Sequence, residues 1–516
     1  MVHLKINGQD IEVEAGVSVL KAAEKAGVKV PSLCYNEELG HFTSCMLCLV
    51  KDARDGRLFP SCSVISTEGL SVITDDEEIT EARQTGLELL LSEHVGDCQG
   101  PCQIACPAHM DIPQMNRLIA AGKFKEALKL VKKDIALPAV LGRICPAPCE
   151  GACHRKTVDA SVSICLLKRF VGDENELHPF DPLPLNGKRV AVIGAGPAGL
   201  AASYYLQLNG YQTVLYDRND LPGGLLRTEI KAEILPLNVL DQEIGTILST
   251  GVEFRGGVEI NASYFHDIVS QYNAVIVATG NLADEIRNWG FTTTAKGIEA
   301  DQNSYVTSLK GVFAIGNTLR SSRLAVRSVG QGKEVAWSVA QYLSGEEPKG
   351  EPRLFNSRFG RLFQEEISEY LKESVPFNRV NSETLKYSGL TKEEAMEEAR
   401  RCLHCDCRDI ENCKLRDLSG RYDASQRRFA GNERKLMTKH FTHSIVYEPL
   451  KCIKCGICVR MTSKYQEKFG FSYIGRGFDV VIGVPFNESV EAGLAETAEK
   501  VAKACPTGAL SVKDSK

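Results

Sequence analysis

The chain opens with LKINGQDIEVEAG, where apolar and polar positions alternate on both sides of Asn7-Gly8, and that pattern predicts a β-hairpin. VSVLKAAEKAGV has apolar residues at helical spacing and ends at Gly27, so one helix is expected, followed by the loop SLCYNEELGHFTSCMLCLV. A small mixed sheet with one helix should result. LELLLSEHV reads as the end of a further helix, and DIPQMNRLIAAGKFKEALKLVKKDIALP predicts two short amphipathic helices, broken at Ala121-Gly122 and closed before Pro138. At residue 189 the pattern changes to a continuous apolar run, RVAVIG, then a glycine-rich turn, the helical ASYYLQLNGY and the apolar TVLYD. Continuous apolar runs of this length suit buried parallel strands. Gly330 and Gly332 in SVGQGKEVAWSVAQYL are expected to open a last helix of that domain. GEPRLFNSRFGRLFQEEISEYLKESVPFNRV reads as an amphipathic helix and linker, TKEEAMEEARR as a charged helix, and RRFAGNERKLMTKHF as a basic linker over the surface.

A net charge of −5 provides no global basic field, so nucleic acid is not an expected partner. No apolar run approaches the roughly 18 residues of a membrane span, and the first residues are too polar for a signal peptide. A cytoplasmic location without membrane insertion is expected. Nineteen cysteines in such a chain point to metal rather than disulfides, because most are bunched and their number is odd.

The first group, Cys34, Cys45, Cys48 and Cys62, is open to zinc, although its long first gap within one loop suits a [2Fe-2S] centre. Here the sequence resembles the N-terminal [2Fe-2S] domain of the large iron–sulfur subunit of respiratory complex I and of related hydrogenases and formate dehydrogenases. The second group is His94, Cys98, Cys102 and Cys106, and the third is Cys145, Cys149 and Cys153, followed by Cys165. CQIACPAHMDIP and RICPAPCEGAC resemble the N-terminal domain of the glutamate synthase small subunit and of dihydropyrimidine dehydrogenase. That resemblance implies two [4Fe-4S] clusters sharing ligands crosswise, Cys98, Cys102 and Cys153 on one and Cys106, Cys145 and Cys149 on the other. The family normally has a further cysteine upstream of the first set, and His94 stands nearest to that place. An imidazole can replace a thiolate on iron; the alternative is a surface residue ending its helix. Cys165, one helical turn before Lys168, is the candidate fourth ligand of the second cluster or else a spare buried cysteine.

Cys402, Cys405, Cys407 and Cys413 form a fourth group, where zinc remains open and the company of the others favours iron. Cys452, Cys455 and Cys458, with Cys505 before a proline, carry a ferredoxin signature for one [4Fe-4S] cluster. Thr462 stands where a two-cluster ferredoxin would have another cysteine. This end again resembles the complex I subunit. Nineteen cysteines and His94 would make five sets of four, one [2Fe-2S] and four [4Fe-4S] clusters.

RVAVIGAGPAGL places Gly194, Gly196 and Gly199 between a strand and a helix, with Asp217 at the end of the next strand. These are the parts of a turn that holds a dinucleotide pyrophosphate and an adenosine ribose. PGGLL, YNAVIVATGN and GVFAIGN resemble the flavin-contacting segments of the glutamate synthase small-subunit family. The resemblance implies FAD, held by Gly194, Gly196, Pro197, Ala198, Gly199, Asp217, Arg218, Gly223, Gly224, Leu225, Ala278, Thr279, Gly280, Gly316 and Asn317. The family ends its last motif in Gly-Asp, and Asn317 changes the local charge. The family also inserts an NADPH domain between the last two motifs. Here Gly280 and Gly316 stand too close for one, since a strand–helix–strand unit alone takes roughly 30 residues.

The expected fold is multidomain α/β and α+β. It comprises a β-grasp [2Fe-2S] domain (1–80), a helical two-cluster domain (81–180), a Rossmann-like FAD domain (181–348), a helical linker with a cluster (349–420) and a ferredoxin-like [4Fe-4S] domain (421–516). The expected function is an electron-transfer subunit of a multi-subunit oxidoreductase, with electron bifurcation as one form of it. Its expected partners are an NADH-oxidising flavoprotein, a molybdenum or hydrogenase catalytic subunit, or ferredoxin. The alternatives are a stand-alone NAD(P)H-dependent reductase and a structural subunit stabilised by its clusters. The histidines are scattered without a triad context, so no catalytic residue is assigned.

Overall fold

The computed structural model describes residues 1–39, 41–174, 180–281, 288–352, 354–380, 385, 387–431 and 435–513. The chain divides into two compact units, one of Met1–Gln99, Arg353–Lys372 and Cys405–Lys516, the other of Gly100–Pro352 and Glu373–His404. No described helix is long and apolar enough to cross a membrane.

In the first unit, strands Val2–Ile6 and Gln9–Val13 pair antiparallel across Asn7 and Gly8, both at positive φ as a two-residue hairpin turn requires. Their sheet has five strands in the order Gln9–Val13, Val2–Ile6, Ser71–Ile73, Leu49–Asp52 and Leu58–Pro60, with Val2–Ile6 and Ser71–Ile73 running parallel. Leu4, Ile6, Ile11 and Val13 face a core that receives Val19, Leu20, Ala22 and Ala23 of the helix Val19–Lys25, capped by Ser18. The helix Glu77–Glu93 carries Arg83, 2% exposed, whose guanidinium donates to the carbonyls of Leu47, Leu49 and Thr74 and to the Tyr422 hydroxyl. That one side chain holds the loop of Cys45 and Cys48 in place. The end of the chain forms an antiparallel sheet of His440–Phe441, Ile445–Tyr447 and Leu510–Val512, with the helices Ile457–Lys464 and Ala498–Ala504.

The second unit begins with the short helix Pro101–Ala105, followed by the helical pair Ile112–Ala120 and Phe124–Asp134, broken at Ala121 and at Gly122, whose φ is 73°. The helices Pro138–Ile144 and Ile164–Asp173 approach so closely that a Cβ on Gly172 would lie 2.4 Å from the Ala139 nitrogen. This contact fixes the segments that lead to Cys145 and Cys165. The dinucleotide-type half is a five-stranded parallel sheet in the order Val312–Ala314, Ala274–Val277, Arg189–Ile193, Gln212–Tyr216 and Glu253–Arg255. Val312–Ala314 pairs directly with Ala274–Val277. Leu282–Arg287 lie outside the described residues, and the described residues from 288 to 311 form isolated bridges and turns without a strand or helix of their own. No second nucleotide domain stands there among the described residues.

Three expectations need correction. Gly330 and Gly332 do not open the last helix, which runs from Ala325 to Leu343; they lie inside it, where a Cβ on Gly332 would meet the Ala198 carbonyl oxygen at 2.6 Å. Close packing, not helix entry, explains them. The amphipathic helix after Gly350 shrinks to Gln364–Glu366 and Ile367–Leu371. The basic stretch is not wholly a surface linker, since Met437 and Lys439 are buried, and its residues Asn432–Arg434 lie outside the described set.

The segment expected as one linker at 349–420 contributes to both units. The reason is a pair of buried arginines. Arg155 donates to the Arg401 carbonyl at 3.0 Å and to Asp159 at 2.6 Å, while Arg401 donates to the Ala160 carbonyl at 2.6 Å, the Phe377 carbonyl at 3.0 Å, Asp159 at 2.9 Å and Glu398 at 2.7 Å. Arg155 and Arg401 head the fully buried side chains by size. Removing one partner of such a network leaves charge buried and unpaired, which costs about 3–5 kcal/mol. Arg401→Ala is therefore expected to lower the unfolding free energy obtained from the cooperative urea transition followed by circular dichroism by that amount, and Arg401→Lys to recover only part, because an ammonium cannot reproduce the planar fork.

Candidate cluster sites and dinucleotide site

Cys34 follows the first helix on a loop, Cys45 and Cys48 precede the strand Leu49–Asp52, and Cys62 follows Leu58–Pro60; all four are buried. They meet in pairs. The Cys34 and Cys45 sulfurs lie 3.4 Å apart, and Cys48 and Cys62 share a hydrogen bond. The Cys34 thiol is pulled down to about 5 by the bond from Cys45, with backbone N–H groups of Cys45 and Ser44 adding to it. Cys62 is pulled down to about 7 by Cys48, with help from the Thr43 hydroxyl. Two thiolates on one tetrahedral metal ion stand roughly 3.8 Å apart for bonds of about 2.3 Å. The two pairs therefore suit two metal ions with two thiolates each, the donor set of a [2Fe-2S] centre.

Cys452, Cys455 and Cys458 wrap a loop closed by Cys505. The Lys454 nitrogen donates to the Cys452 sulfur at 3.3 Å, and the backbone N–H groups of Ile457, Val459, Thr507 and Leu510 point at the other sulfurs. Burial nonetheless pushes Cys452 up to about 12. Thr462 is buried with its hydroxyl engaged, accepting from the Phe471 nitrogen and donating to the Val459 carbonyl, each at 3.0 Å. It anchors the helix Ile457–Lys464.

The structure does not keep His94 and Cys98 in one unit with Cys102 and Cys153. His94 caps the helix Glu77–Glu93 and is buried, so the surface alternative fails; its Nδ1 lies 3.0 Å from the Lys451 carbonyl oxygen. Desolvation lowers its pKa to about 4, leaving a neutral ring. A neutral imidazole with Nδ1–H donated to a carbonyl presents a free Nε2, the state in which histidine ligates metal. In the same unit the Cys407 nitrogen donates to the Cys98 carbonyl at 3.1 Å, and the Ser357 nitrogen to the Cys98 sulfur at 3.4 Å. Burial pushes Cys98 up to about 11, with a contribution from Cys407, and Cys413 up to about 12, with contributions from Cys407 and Cys98. Cys405 interacts with Tyr370 and Lys439.

The second unit holds Cys102, Cys106, Cys145, Cys149, Cys153, Cys165 and Cys402. Cys145 and Cys165 are hydrogen-bonded, and Cys165 also meets Cys149. The buried Lys168 ammonium lies 3.8 Å from the Cys165 sulfur, and the charges of Cys165, Cys145, Cys149 and Cys106 hold it protonated. A cation there offsets negative charge on that set of four. Cys402, expected with Cys405, Cys407 and Cys413, is pushed up to about 11 by burial; the Asn116 side chain bonds to it and Cys153 acts on it electrostatically.

At the glycine turn, Gly194 has φ 109° and Gly199 leaves no room for a Cβ, which would stand 1.8 Å from the Gly194 oxygen. Gly196 faces open space and precedes the helix Pro197–Leu208, whose first turn includes Pro197 and Ala198. Asp217 accepts from the Ala195 nitrogen at 2.6 Å and from Asn219, and Arg218 beside it is exposed. Gly223 and Gly224 take positive φ, Gly224 against Gly196, with Leu225 half-exposed at the following turn. Ala278, Thr279 and Gly280 end the strand Ala274–Val277, and the buried Thr279 hydroxyl has no hydrogen-bond partner among the described residues. The Gly316 nitrogen donates to the Gln331 side chain at 2.8 Å, and the Asn317 side-chain oxygen accepts from the Ser322 nitrogen at 3.0 Å. The open cradle at Gly196 and the unpartnered Thr279 hydroxyl fit a dinucleotide. The left-handed turns at Met46, Ala147, His404 and Lys454, each one or two residues past a cysteine, escaped the reading of residue types.

Comparison with known proteins agrees with these modules. Residues 1–77 match the family described as a 2Fe-2S iron–sulfur cluster binding domain, residues 89–178 dihydropyrimidine dehydrogenase domain II, 4Fe-4S cluster, and residues 192–252 an NAD(P)-binding Rossmann-like domain. The chain is 32% identical over 313 residues to the NADPH-Fe(3+) oxidoreductase subunit beta of Geobacter sulfurreducens, covering 57% of this chain and 44% of that one. It is 34% identical to the NADP(+)-dependent formate dehydrogenase subunit beta of Moorella thermoacetica, over 35% of this chain and 29% of that one. It is 36% identical to the glutamate synthase [NADPH] small chain of Bacillus subtilis, over 36% and 40% respectively. The chain thus spans less than half the length of each of these relatives. Module by module, then, the chain is similar to oxidoreductase subunits, the glutamate synthase small chain among them, and to 2Fe-2S, 4Fe-4S and NAD(P)-binding domains.

Proposed function

We propose that the chain is an FAD- and iron–sulfur-containing electron-transfer subunit of a larger oxidoreductase, with one [2Fe-2S] and four [4Fe-4S] clusters. The observation that carries this reading is the succession of cysteine groups. In the first unit Cys34 acts on Cys455, and Cys505, of the same set as Cys455, acts on Cys413, which also feels Cys407 and Cys98. The C-terminal set thus neighbours both of the other two. In the second unit the backbone after Cys106 touches the long helix beside the glycine turn: a Cβ on Gly330 would lie 2.7 Å from the Pro107 oxygen. Gly332, two residues on, packs against Ala198 of that turn's helix.

FAD, when bound, exchanges two electrons with a hydride donor or acceptor and single electrons with iron–sulfur centres. Gly194, Gly196 and Gly199 admit the pyrophosphate, Asp217 orients the turn through the Ala195 nitrogen, and Asn317 leaves the site one carboxylate short of the related family's pattern. Backbone N–H groups directed at the thiol sulfurs, and Lys168 beside one set, stabilise reduced and more negative states. Substrate chemistry is read as residing on partners: an NADH-oxidising flavoprotein, a molybdenum or hydrogenase catalytic subunit, or ferredoxin. The match of residues 192–252 to an NAD(P)-binding description favours a second reading, a reductase that takes hydride itself.

Anaerobic titration of the iron- and flavin-loaded chain separates the two. Dithionite is expected to bleach flavin and clusters, and NADH and NADPH to leave both oxidised; rapid reduction by either nucleotide overturns the subunit reading. Glycine variants test the dinucleotide site. Gly196→Ala, at φ −75° with free space around it, should fold normally yet lose bound flavin by about tenfold or more, since the methyl group takes volume the pyrophosphate needs. Gly199→Ala should instead lower the melting temperature, because its methyl group meets the Gly194 oxygen.

A further inference from the structure

The four cysteines between residues 402 and 413 look like one ligand set in sequence, yet the two units divide them. Cys402 ends the segment 373–404 of the second unit, whereas Cys405, Cys407 and Cys413 belong to the first. We propose that Cys402 is a ligand of the cluster held by Cys102 and Cys153, where it fills the corner that related proteins give to an upstream cysteine, and that Cys407 and Cys413 serve a different cluster with Cys98. This rests on the reading of the cysteine groups as metal centres.

Four observations carry it. The backbone at Cys402 is pinned to the backbone that leaves Cys153. Arg155, two residues after Cys153, donates to the carbonyl of Arg401, and Arg401 donates back to Asp159 and to the Ala160 carbonyl. Glu398, one turn before Cys402, accepts from the Ser163 nitrogen at 2.8 Å and from the Val380 nitrogen at 3.0 Å. Apart from the exposed Asp159 carboxylate, these bonds run through main-chain groups and the fully buried side chains of Arg155, Arg401 and Glu398, so the position of residue 402 is set by the protein before any metal arrives.

Secondly, Cys402 is part of the apolar core that contains Cys102, Cys106 and Cys149, with Cys145 and Cys153 packed against it. Cys413 lies in the other core, with Cys34, Cys45 and Cys455. Thirdly, the helix Lys392–Ala399, started by a capping box at Thr391 and Glu394, packs on Ile112–Ala120 and so presents Cys402 to Asn116, whose side chain bonds to it. Asn116 is 1% exposed and its Oδ1 has no hydrogen-bond partner among the described residues, so a buried polar atom without an assigned role sits beside this thiol.

Lastly, Cys402 has the local backbone of a cluster ligand. His404 takes φ 48° and its N–H bonds to the Cys402 sulfur. Lys454 does the same for Cys452 at φ 55°, and Ala147 for Cys145 at φ 56°. A non-glycine residue in the left-handed region is uncommon and turns its N–H inward, a geometry suited to an anionic centre. On the other side of the division, Cys407 is bonded through its nitrogen to the Cys98 carbonyl, and Cys413 interacts with both.

Paired substitutions test the assignment in the full chain, anaerobically reconstituted with iron and sulfide. Cys153→Ala and Cys402→Ala are each expected to remove one cluster's iron and the same component of the dithionite-reduced low-temperature EPR spectrum. Their double variant should lose no more than either single one. Cys402→Ala combined with Cys413→Ala should lose twice as much, because two clusters are hit. The reverse pattern, additive loss for the 153/402 pair and none beyond a single loss for the 402/413 pair, overturns the proposal. An unchanged [2Fe-2S] signal reports folding; if Cys402→Ala removes that signal too, Cys402→Ser, which keeps an oxygen donor, should shift the same EPR component as Cys153→Ser, and a shift of the Cys413→Ser component overturns the proposal. If the wild-type chain takes up zinc and no iron, the electron-transfer reading falls, while the same pairing of losses, read by zinc content, still decides the partition.

Discussion

Two buried guanidinium groups organise the second unit, and through it much of the chain. Arg155 satisfies the Arg401 carbonyl, Arg401 satisfies the Ala160 and Phe377 carbonyls, and the two share Asp159, whose carboxyl they hold well below the usual range. Charges this deep are tolerated only when every donor finds an acceptor, so the pair forces residues 373–404 back onto the helical domain after the chain has already completed the parallel sheet. The fold is therefore interleaved in sequence. The helical cysteine domain is not finished at residue 180 but some two hundred residues later, when Lys392–Ala399 packs on Ile112–Ala120. Cooperativity between early and late segments follows from that one network.

The cysteines pose the opposite electrostatic problem. Most of those with a resolved shift are pushed upward, mainly by burial, as at Cys98, Cys413 and Cys452, so the folded chain favours neutral thiols. Metal loading must then release protons, and a bound cationic centre supplies the charge that burial withholds. The sites are prepared for it unequally. Cys34 and Cys62 are already pulled down by their partners, which suits pairwise ligation, whereas Cys165 has a lysine at 3.8 Å and Cys452 mainly a backbone N–H. Environments that differ this much give centres of differing potential.

What sequence reasoning could reach was local. The Asn7-Gly8 hairpin, the break at Ala121-Gly122 and the strand–turn–helix around Gly194 are each set by neighbours within a few residues, and each stands as expected. The short gap between Gly280 and Gly316 was legible because chain length bounds what can fold, and the two flanking strands do pair directly. Grouping by proximity along the chain failed where a long-range network overrides it. Cys402 lies three residues from Cys405 in sequence, but Arg401 next to it is bonded to residues near 160. For His94 the surface alternative stands open in the sequence beside ligation, because a polar residue at a helix end carries no mark of burial; the Lys451 carbonyl that receives it lies hundreds of residues away. Gly330 and Gly332 looked like helix openers because glycine's use in close packing leaves the same letter as its use in turns.

The direct pairing of the two strands that flank the short gap and the position of Pro107 bear on each other. In the parallel sheet, Val312–Ala314 follows Ala274–Val277 as a hydrogen-bonded neighbour, and the residues between form only bridges and turns where they are described. The long helix Ala325–Leu343 then packs Gly332 against Ala198 and Gly330 against Pro107. One element therefore touches both the turn that suits a dinucleotide and the loop that carries Cys106. A side chain larger than hydrogen at either glycine would push one of these surfaces away, and no rotamer change relieves a contact with a backbone oxygen. Glycine at both positions has one shared physical consequence, a short approach from the cysteine loop to the glycine turn.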